Sequence, residues 1–331
     1  MIITYKREIT EADKAKQGIG QRFITMEAMD HDFGRIGGLV PPTDLKLAKR
    51  KNRICQVFWS EPYKMPFDTA RWSVGYQFEL TIPLCALSLA ILKEHGQEVV
   101  MYTDTVGEHT LCDLGYDRIY NIFDPVKVNT NFWAAGKIIA MQNEPLDSLQ
   151  IDTDIFVYNG EILDKAFFEP VVGSHAEDTT RYKPVLDFGV GVFDHLKGKE
   201  TEWSTNCGFL KCHDISKKLR FISAYWEGTR TKIVLDALDG FTKSGKGAFC
   251  ADLLIEQFNF HNICNPMHLV KIPPLASEFQ DFCHLISFEK YMKVPLVMDI
   301  LKEYFPKYYQ AVLDAWKKND FGLMMEDQLY T

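Results

Sequence analysis

Between residues 54 and 158, short apolar runs alternate with segments of helical character, a pattern few architectures accommodate. Residues 54–59 (ICQVFW) read as a strand, 72–95 as a long helix closed by Gly96, and 98–102 (EVVMY) as a second strand ending at Thr103-Asp104. A third strand is predicted at 118–123, a helix at 132–142 and a fourth strand at 150–158 (QIDTDIFVY). Strands alternating with helices predict βαβ units, that is, an α/β fold on a Rossmann-like mixed, largely parallel sheet flanked by helices. The apolar run 80–92 is too short to span a bilayer and contains Pro83, so it reads as a buried helix.

Beyond residue 158 the order loosens. Residues 172–181 read as a polar loop. Strands are predicted at 190–193, 207–211 and 268–272, and helices at 216–238, 251–260 and 296–317. The chain has no repeat, no low-complexity tract and no linker rich in Pro, Gly or Ser. The expected organisation is one continuous domain over 54–331 behind a polar N-terminal extension, 1–53. That extension ends in a basic cluster, Lys46, Lys49, Arg50, Lys51 and Arg53. Such a run can touch an anionic membrane surface or a nucleotide, though a solvated face is its commoner use.

With 46% apolar and 13% aromatic residues among 331, the chain has a globular composition, which excludes disorder as its dominant state. A net charge of -8 argues against nucleic acid as a partner, since such a protein needs a basic face. The eight cysteines are scattered, with no Cys-x-x-Cys pair. Cys207, Cys212 and His213 lack a second ligand pair at zinc spacing. Free thiols in a reducing, cytoplasmic compartment are expected. The N-terminus carries charges where a signal peptide needs its apolar core.

The sharpest local feature is Asp152-Thr153-Asp154. Carboxylates at i and i+2 share one face of an extended strand, and both reach one divalent cation if the strand ends there and the chain turns. Hard cations such as Mg²⁺ or Mn²⁺ take oxygen ligands. A second pair, Asp30 and Asp32, follows no apolar strand and reads as surface or turn chemistry. Asp104, at the end of its strand, suits either a nucleotide contact, because ligands gather at the carboxyl ends of parallel strands, or a helix cap. Glu256 and Gln257 lie on an apolar-periodic helix and face either the site or solvent.

Context extends the motif. Asn131-Phe132-Trp133-Ala134-Ala135-Gly136-Lys137 opens the helix leading into the Asp-bearing strand. Asn206-Cys207-Gly208 precedes an apolar segment, and His284 and Lys290 follow late in the chain. In order and spacing, residues 54–295 resemble the GT-A glycosyltransferases, especially the glycogenin-like family 8 enzymes. They also resemble uncharacterised bacterial GT-A-like proteins that share the Trp133/Lys137 and Asp-x-Asp blocks. The family's late His-Phe-x-Gly-x-x-Lys-Pro-Trp segment corresponds to His284 and Lys290 at the same six-residue offset. Ser287 stands in place of Gly, and Tyr291-Met292 in place of Pro-Trp.

The resemblance implies a GT-A fold and a metal-dependent transferase acting on a nucleotide-diphosphate sugar, a UDP-sugar in the first instance. The acceptor would be a carbohydrate, a protein or a lipid-linked group, and retention at the anomeric carbon is favoured. It further implies Mn²⁺ or Mg²⁺ held by Asp152, Asp154 and His284. Lys290 would lie on the diphosphate and Lys137 over the donor, Asn206 and Gly208 would line the sugar pocket, and Glu256 would lie toward the acceptor. Two rivals stay open. A non-catalytic nucleotide-sugar or carbohydrate-binding protein would keep the fold without turnover. A sugar nucleotidyltransferase would need a Gly-rich loop after the first strand, where this chain has Trp59-Ser60-Glu61-Pro62-Tyr63.

Overall fold

The computed structural model describes residues 39–43, 45–64, 77–130, 132–179, 202–231, 234, 252–269, 281–285, 290 and 293–319. The predicted strand at 190–193 and the Asp30/Asp32 pair lie outside these residues. So do residues 72–76 of the first predicted helix, 270–272 of the last predicted strand, and Asn131, Ser287, Tyr291 and Met292.

The alternating pattern builds the expected open sheet. Strands β1 (Arg53–Val57), β2 (Glu98–Thr103), β3 (Arg118–Asn121) and β4 (Leu149–Ile151) run parallel to one another, with β1 between β2 and β4. The two-stranded extension β7 (Ala176–Asp178) and β8 (Trp203–Thr205) stands apart from this sheet. On the far side of β4, β9 (Phe209–Cys212) runs antiparallel to both β4 and β6 (Val171–Gly173), and β10 (Met267–His268) closes the edge parallel to β6. The order across the seven strands is β10-β6-β9-β4-β1-β2-β3.

Both faces of this sheet are covered, and the period-2 alternation of its strands divides the apolar residues between two cores. Ile54, Val99 and Met101 join the first core with helix α1 (Gln77–Glu94) and the C-terminal pair α7 (Val294–Tyr304) and α8 (Pro306–Lys318). Cys55, Val100 and Tyr102 join the second with α3 (Ala135–Asn143) and α5 (Ile215–Gly228). The same core takes in a π-helical turn (Leu254–Phe258) running into α6 (Asn259–Cys264). Helices α2 (Thr105–Leu111) and α4 (Gly160–Phe168) complete the described set. Helix α1 is apolar all round because the sheet, α7, α8 and a small two-stranded sheet of residues 155–157 and 282–284 surround it. No helix among the described residues is long and apolar enough to cross a membrane.

Three expectations change. The single strand predicted at 150–158 is two strands, β4 and β5 (Ile155–Val157), because Asp152-Thr153-Asp154 turns the chain out of the main sheet. There β5 pairs antiparallel with β11 (Phe282–His284) in a separate two-stranded sheet. The polar loop predicted at 172–181 contains β6 and β7. Both are three residues long, and the partners that stabilise them, β9, β10 and β8, come later in the chain. The helix predicted at 296–317 is broken between Tyr304 and Pro306, since proline cannot donate the hydrogen bond that would continue α7.

The end of the basic preface is docked onto the domain. Lys46 O accepts from Gly160 N at 2.6 Å, Asp164 accepts from the Lys49 and Arg50 amides, and the Arg50 guanidinium lies 4.4 Å from the Phe168 ring centre. The side chains of Lys46, Lys49 and Lys51 belong to exposed residues. The described cysteines, all but Cys250, are free thiols.

Candidate functional site

The turn between β4 and β5 is where the chemistry gathers. Asp152 leaves the main sheet as its amide donates to Gly208 O at 2.6 Å, next to the Ile151–Phe209 pairing of β4 with β9. Three residues on, β5 begins, and its register sets Ile155 opposite His284. Leu285 N donates to Asp154 O at 3.0 Å, so His284 sits beside Asp154 although 130 residues separate them. One ligand atom from each of Asp152, Asp154 and His284 falls within 4.8 Å of the others. The end of β4 and the turn after it thus set both carboxylates beside His284.

Two lysines flank the cluster. Lys137 Nζ lies 2.8 Å from Asp152 Oδ2, 3.2 Å from Glu256 Oε1 and 3.4 Å from Cys207 O, and Lys290 Nζ lies 3.0 Å from Asp154 Oδ2. Lys137 is brought there by the first turn of α3. The Ala134 amide at that helix start donates to Asp252 Oδ2 at 2.8 Å, while Asp252 Oδ1 accepts from the Tyr225 hydroxyl. Asp252 thus ties the start of α3 to the helix carrying Glu256. Glu256 lies in the π-helical turn, an irregularity frequent at functional sites, and its side chain is buried facing Lys137, not solvent.

The electrostatics follow from this packing. Burial pushes the Asp152 carboxyl up to about 6 in spite of Lys137, with the Asp154 charge adding to the rise. Burial acts on Asp154 in the same direction, but Lys290 and His284 outweigh it and hold that carboxyl below the usual range. Burial lowers His284 to about 4, leaving a neutral imidazole at pH 7. Lys137 is raised: burial opposes its charge, and the carboxylates of Asp152 and Glu256 overcome that.

Three predicted site residues have duties the sequence left open. Asp104 is the helix-cap alternative made real. Oδ1 accepts from Gly107 N at 2.8 Å, and Oδ2 from the Ser60 amide and hydroxyl at 2.8 and 2.7 Å. Gly208 is needed for the approach of His284, since a Cβ there would meet His284 Cε1 at 2.8 Å and Ile155 Cδ1 at 2.9 Å. Gly208→Ala is accordingly expected to cost about 1–3 kcal/mol through overpacking and to displace His284. Thermal unfolding and a Mn²⁺ titration check this, and unchanged stability with unchanged Mn²⁺ affinity would refute it. Asn206 turns inward, its Oδ1 accepting from Gly208 N at 2.9 Å and its Nδ2 donating to Glu177 Oε1 at 2.6 Å.

Glu177 and His175 are what sequence reasoning missed. His175 Nε2 lies 3.4 Å from Glu177 Oε1, and the His175 and His284 rings meet edge-to-face at 6.1 Å. The available signal was the His-x-Glu spacing, which puts both side chains on one side of an extended chain.

Residues 52–315 match a family of unknown function, DUF6734. The chain belongs to that family. No curated protein matches it. Among solved structures it is similar to the glycosyltransferase GlyE of Streptococcus pneumoniae TIGR4, with 14% identity over 82% of this chain and 64% of GlyE, at a TM-score of 0.35. Mouse xyloside xylosyltransferase 1 in its apo form aligns at 13% identity over 64% of this chain and 82% of its own, TM-score 0.33. The apo bifunctional glycosyltransferase WbbM aligns at 12% identity over 87% of this chain and 53% of its own, TM-score 0.38. The chain spans just under two thirds of GlyE and about half of WbbM.

Proposed function

We propose that this chain is a GT-A-type, metal-dependent glycosyltransferase that moves a sugar from a nucleoside diphosphate, a UDP-sugar in the first instance, to an acceptor. One observation carries the reading. The residues singled out by the motif resemblance, Asp152, Asp154, His284, Lys137, Lys290 and Glu256, converge on one turn at the carboxyl end of a parallel strand.

The donor set fits a hard divalent cation. Asp154 Oδ1 and His284 Nδ1 are buried atoms without a hydrogen-bond partner among the described residues, a costly state that a ligand relieves. The carboxylates of Asp152, Asp154 and Glu256 outnumber the ammonium groups of Lys137 and Lys290, so the cluster carries excess negative charge that a cation neutralises. Asp152, Asp154 and His284 would hold the ion, whose chemistry is to offset the charge of the diphosphate and polarise it as a leaving group.

This chain's own residues do the rest. Lys290 supplies a point charge beside Asp154 that can turn to the departing diphosphate, stabilising the charge that develops there. Lys137 holds Asp152 in place and links it to Glu256, so that the ligand carboxylate and the acceptor-side carboxylate are fixed relative to each other. Retention at the anomeric carbon goes with the family 8 resemblance.

Hydrolysis of a UDP-sugar panel, followed as free UDP with Mn²⁺ or with a chelator, tests the reading. Turnover that needs Mn²⁺ is expected. Turnover indifferent to the chelator would remove the metal from the account, and tight binding of a nucleotide sugar with no turnover would make the chain a binding protein.

A further inference from the structure

Glu177 is a carboxylate that the proposed chemistry does not use. Its side chain is about a quarter exposed (23%) and held at Oε1 by Asn206 and His175, while no described residue bonds Oε2. Burial pushes its carboxyl up, but His175 and Asn206 outweigh that and keep it below its ordinary value. An ionised carboxylate only accepts hydrogen bonds. It therefore repels phosphate and suits a neutral group rich in hydroxyl donors.

Its place in the fold narrows which group that is. In an open α/β sheet, ligands lie across the carboxyl ends of the strands. Asp152 follows the carboxyl end of β4, with the parallel strands β1, β2 and β3 on one side and β9, β6 and β10 on the other. Glu177 belongs to the second side: β7 follows β6 directly, Ser174 N donates to Asn206 O at 3.1 Å, and Asn206 N to His175 O at 2.9 Å. Asn206 also holds the Gly208 amide against which His284 packs. Glu177 thus flanks the cluster on its His284 side, whereas Glu256 flanks it on the Lys137 side.

We infer that Glu177 is a specificity-determining residue whose carboxylate accepts hydrogen bonds from hydroxyl groups of the donor's transferred sugar. This rests on the glycosyltransferase reading and deepens it. A nucleotide laid along the β1–β3 side, with its diphosphate at the Asp-Asp-His cluster, delivers its sugar to the Glu177 side. His175 and Asn206 fix the carboxylate, so that one arrangement of hydroxyls is favoured over its epimers.

The experiment compares full-length wild type with Glu177→Gln, whose side-chain carbonyl still accepts from Asn206. UDP binding with Mn²⁺ is measured by calorimetry. Hydrolysis is measured for UDP-glucose, UDP-galactose, UDP-N-acetylglucosamine and UDP-xylose. The inference expects UDP affinity within about twofold of wild type and a best-to-worst ratio of kcat/KM narrowed at least tenfold. Should the Gln variant not fold, Glu177→Asp, which withdraws the carboxylate by one methylene, is expected to alter the same ratio. UDP affinity falling as far as the sugar-dependent rates would assign Glu177 to the ribose, the metal or the fold and overturn the inference. An unchanged ratio would overturn it alone. A wild type that binds none of these compounds would defeat it together with the glycosyltransferase reading.

Discussion

Asp154→Asn is expected to lower UDP-sugar turnover by roughly a hundredfold, the equivalent of about 3 kcal/mol of charge stabilisation. Asp154 has two oxygens with different duties. Oδ2 faces Lys290 Nζ at 3.0 Å, and Oδ1 is buried without a hydrogen-bond partner among the described residues, 3.6 Å from His284 Nε2. An amide presents one oxygen instead of two and no charge, so it loses the cation while nearly preserving volume. The fold should survive, because Asp154 lies in a cluster already overloaded with negative charge, and its structural bond to Leu285 is made by its backbone carbonyl. Circular dichroism and thermal unfolding serve as controls. Wild-type turnover in a folded Asp154→Asn protein would contradict the metal assignment.

Glu144→Ala is expected to destabilise the fold by about 2–3 kcal/mol, through the loss of charge-assisted hydrogen bonds to an Arg53 that is half-buried and keeps Glu98 as a partner. Glu144 caps the carboxyl end of α3, the helix that presents Lys137 to the site. Its carboxylate accepts from Arg53 Nε at 2.8 Å and Nη2 at 2.9 Å, from the Tyr102 hydroxyl at 2.8 Å and from the Ser148 hydroxyl, with a side-chain exposure of 3%. One acid therefore ties α3 to β1 and β2. Burial pushes its pKa up, but Arg53, Ser148 and Tyr102 together hold it below the ordinary 4.5. A depressed carboxyl stabilises the fold above the unfolded-state value, and the stabilisation is lost as pH falls below about 4.5 through the folded value. Chemical denaturation of wild type and variant at pH 7 and pH 3.5 checks this. The difference in stability should shrink at the lower pH, and a constant difference would contradict the assignment.

How much of this was legible depended on whether the determining neighbours were close in sequence. The buried helix α1 was readable because its apolar run needs no partner to identify it. The Asp152/Asp154 pair was readable as a motif. That it forms a turn between two sheets was not, because the second sheet depends on β11, more than a hundred residues later. His284 and Lys290 came from the offset shared with the family 8 pattern, whereas the β5–β11 register that brings His284 to Asp154 has no local signature. Glu177 and His175 were hidden in an apparent loop because β7 is paired by β8 across a long excursion. Asp104 offered two readings of equal weight. The tie was broken by Ser60, a residue far away in sequence whose amide and hydroxyl occupy the second carboxylate oxygen.

The metal-dependent nucleotide-sugar site is most directly tested by thermal unfolding of the full-length chain with UDP-sugars, with and without Mn²⁺. A ligand at about a hundred times its Kd stabilises the state it binds by about 2.7 kcal/mol, which for a chain of this size raises Tm by roughly 4 °C. The account predicts such a rise only when nucleotide sugar and Mn²⁺ are present together, and its loss in Asp154→Asn. An unchanged Tm with every UDP- and GDP-sugar, or the same rise without Mn²⁺, would contradict it.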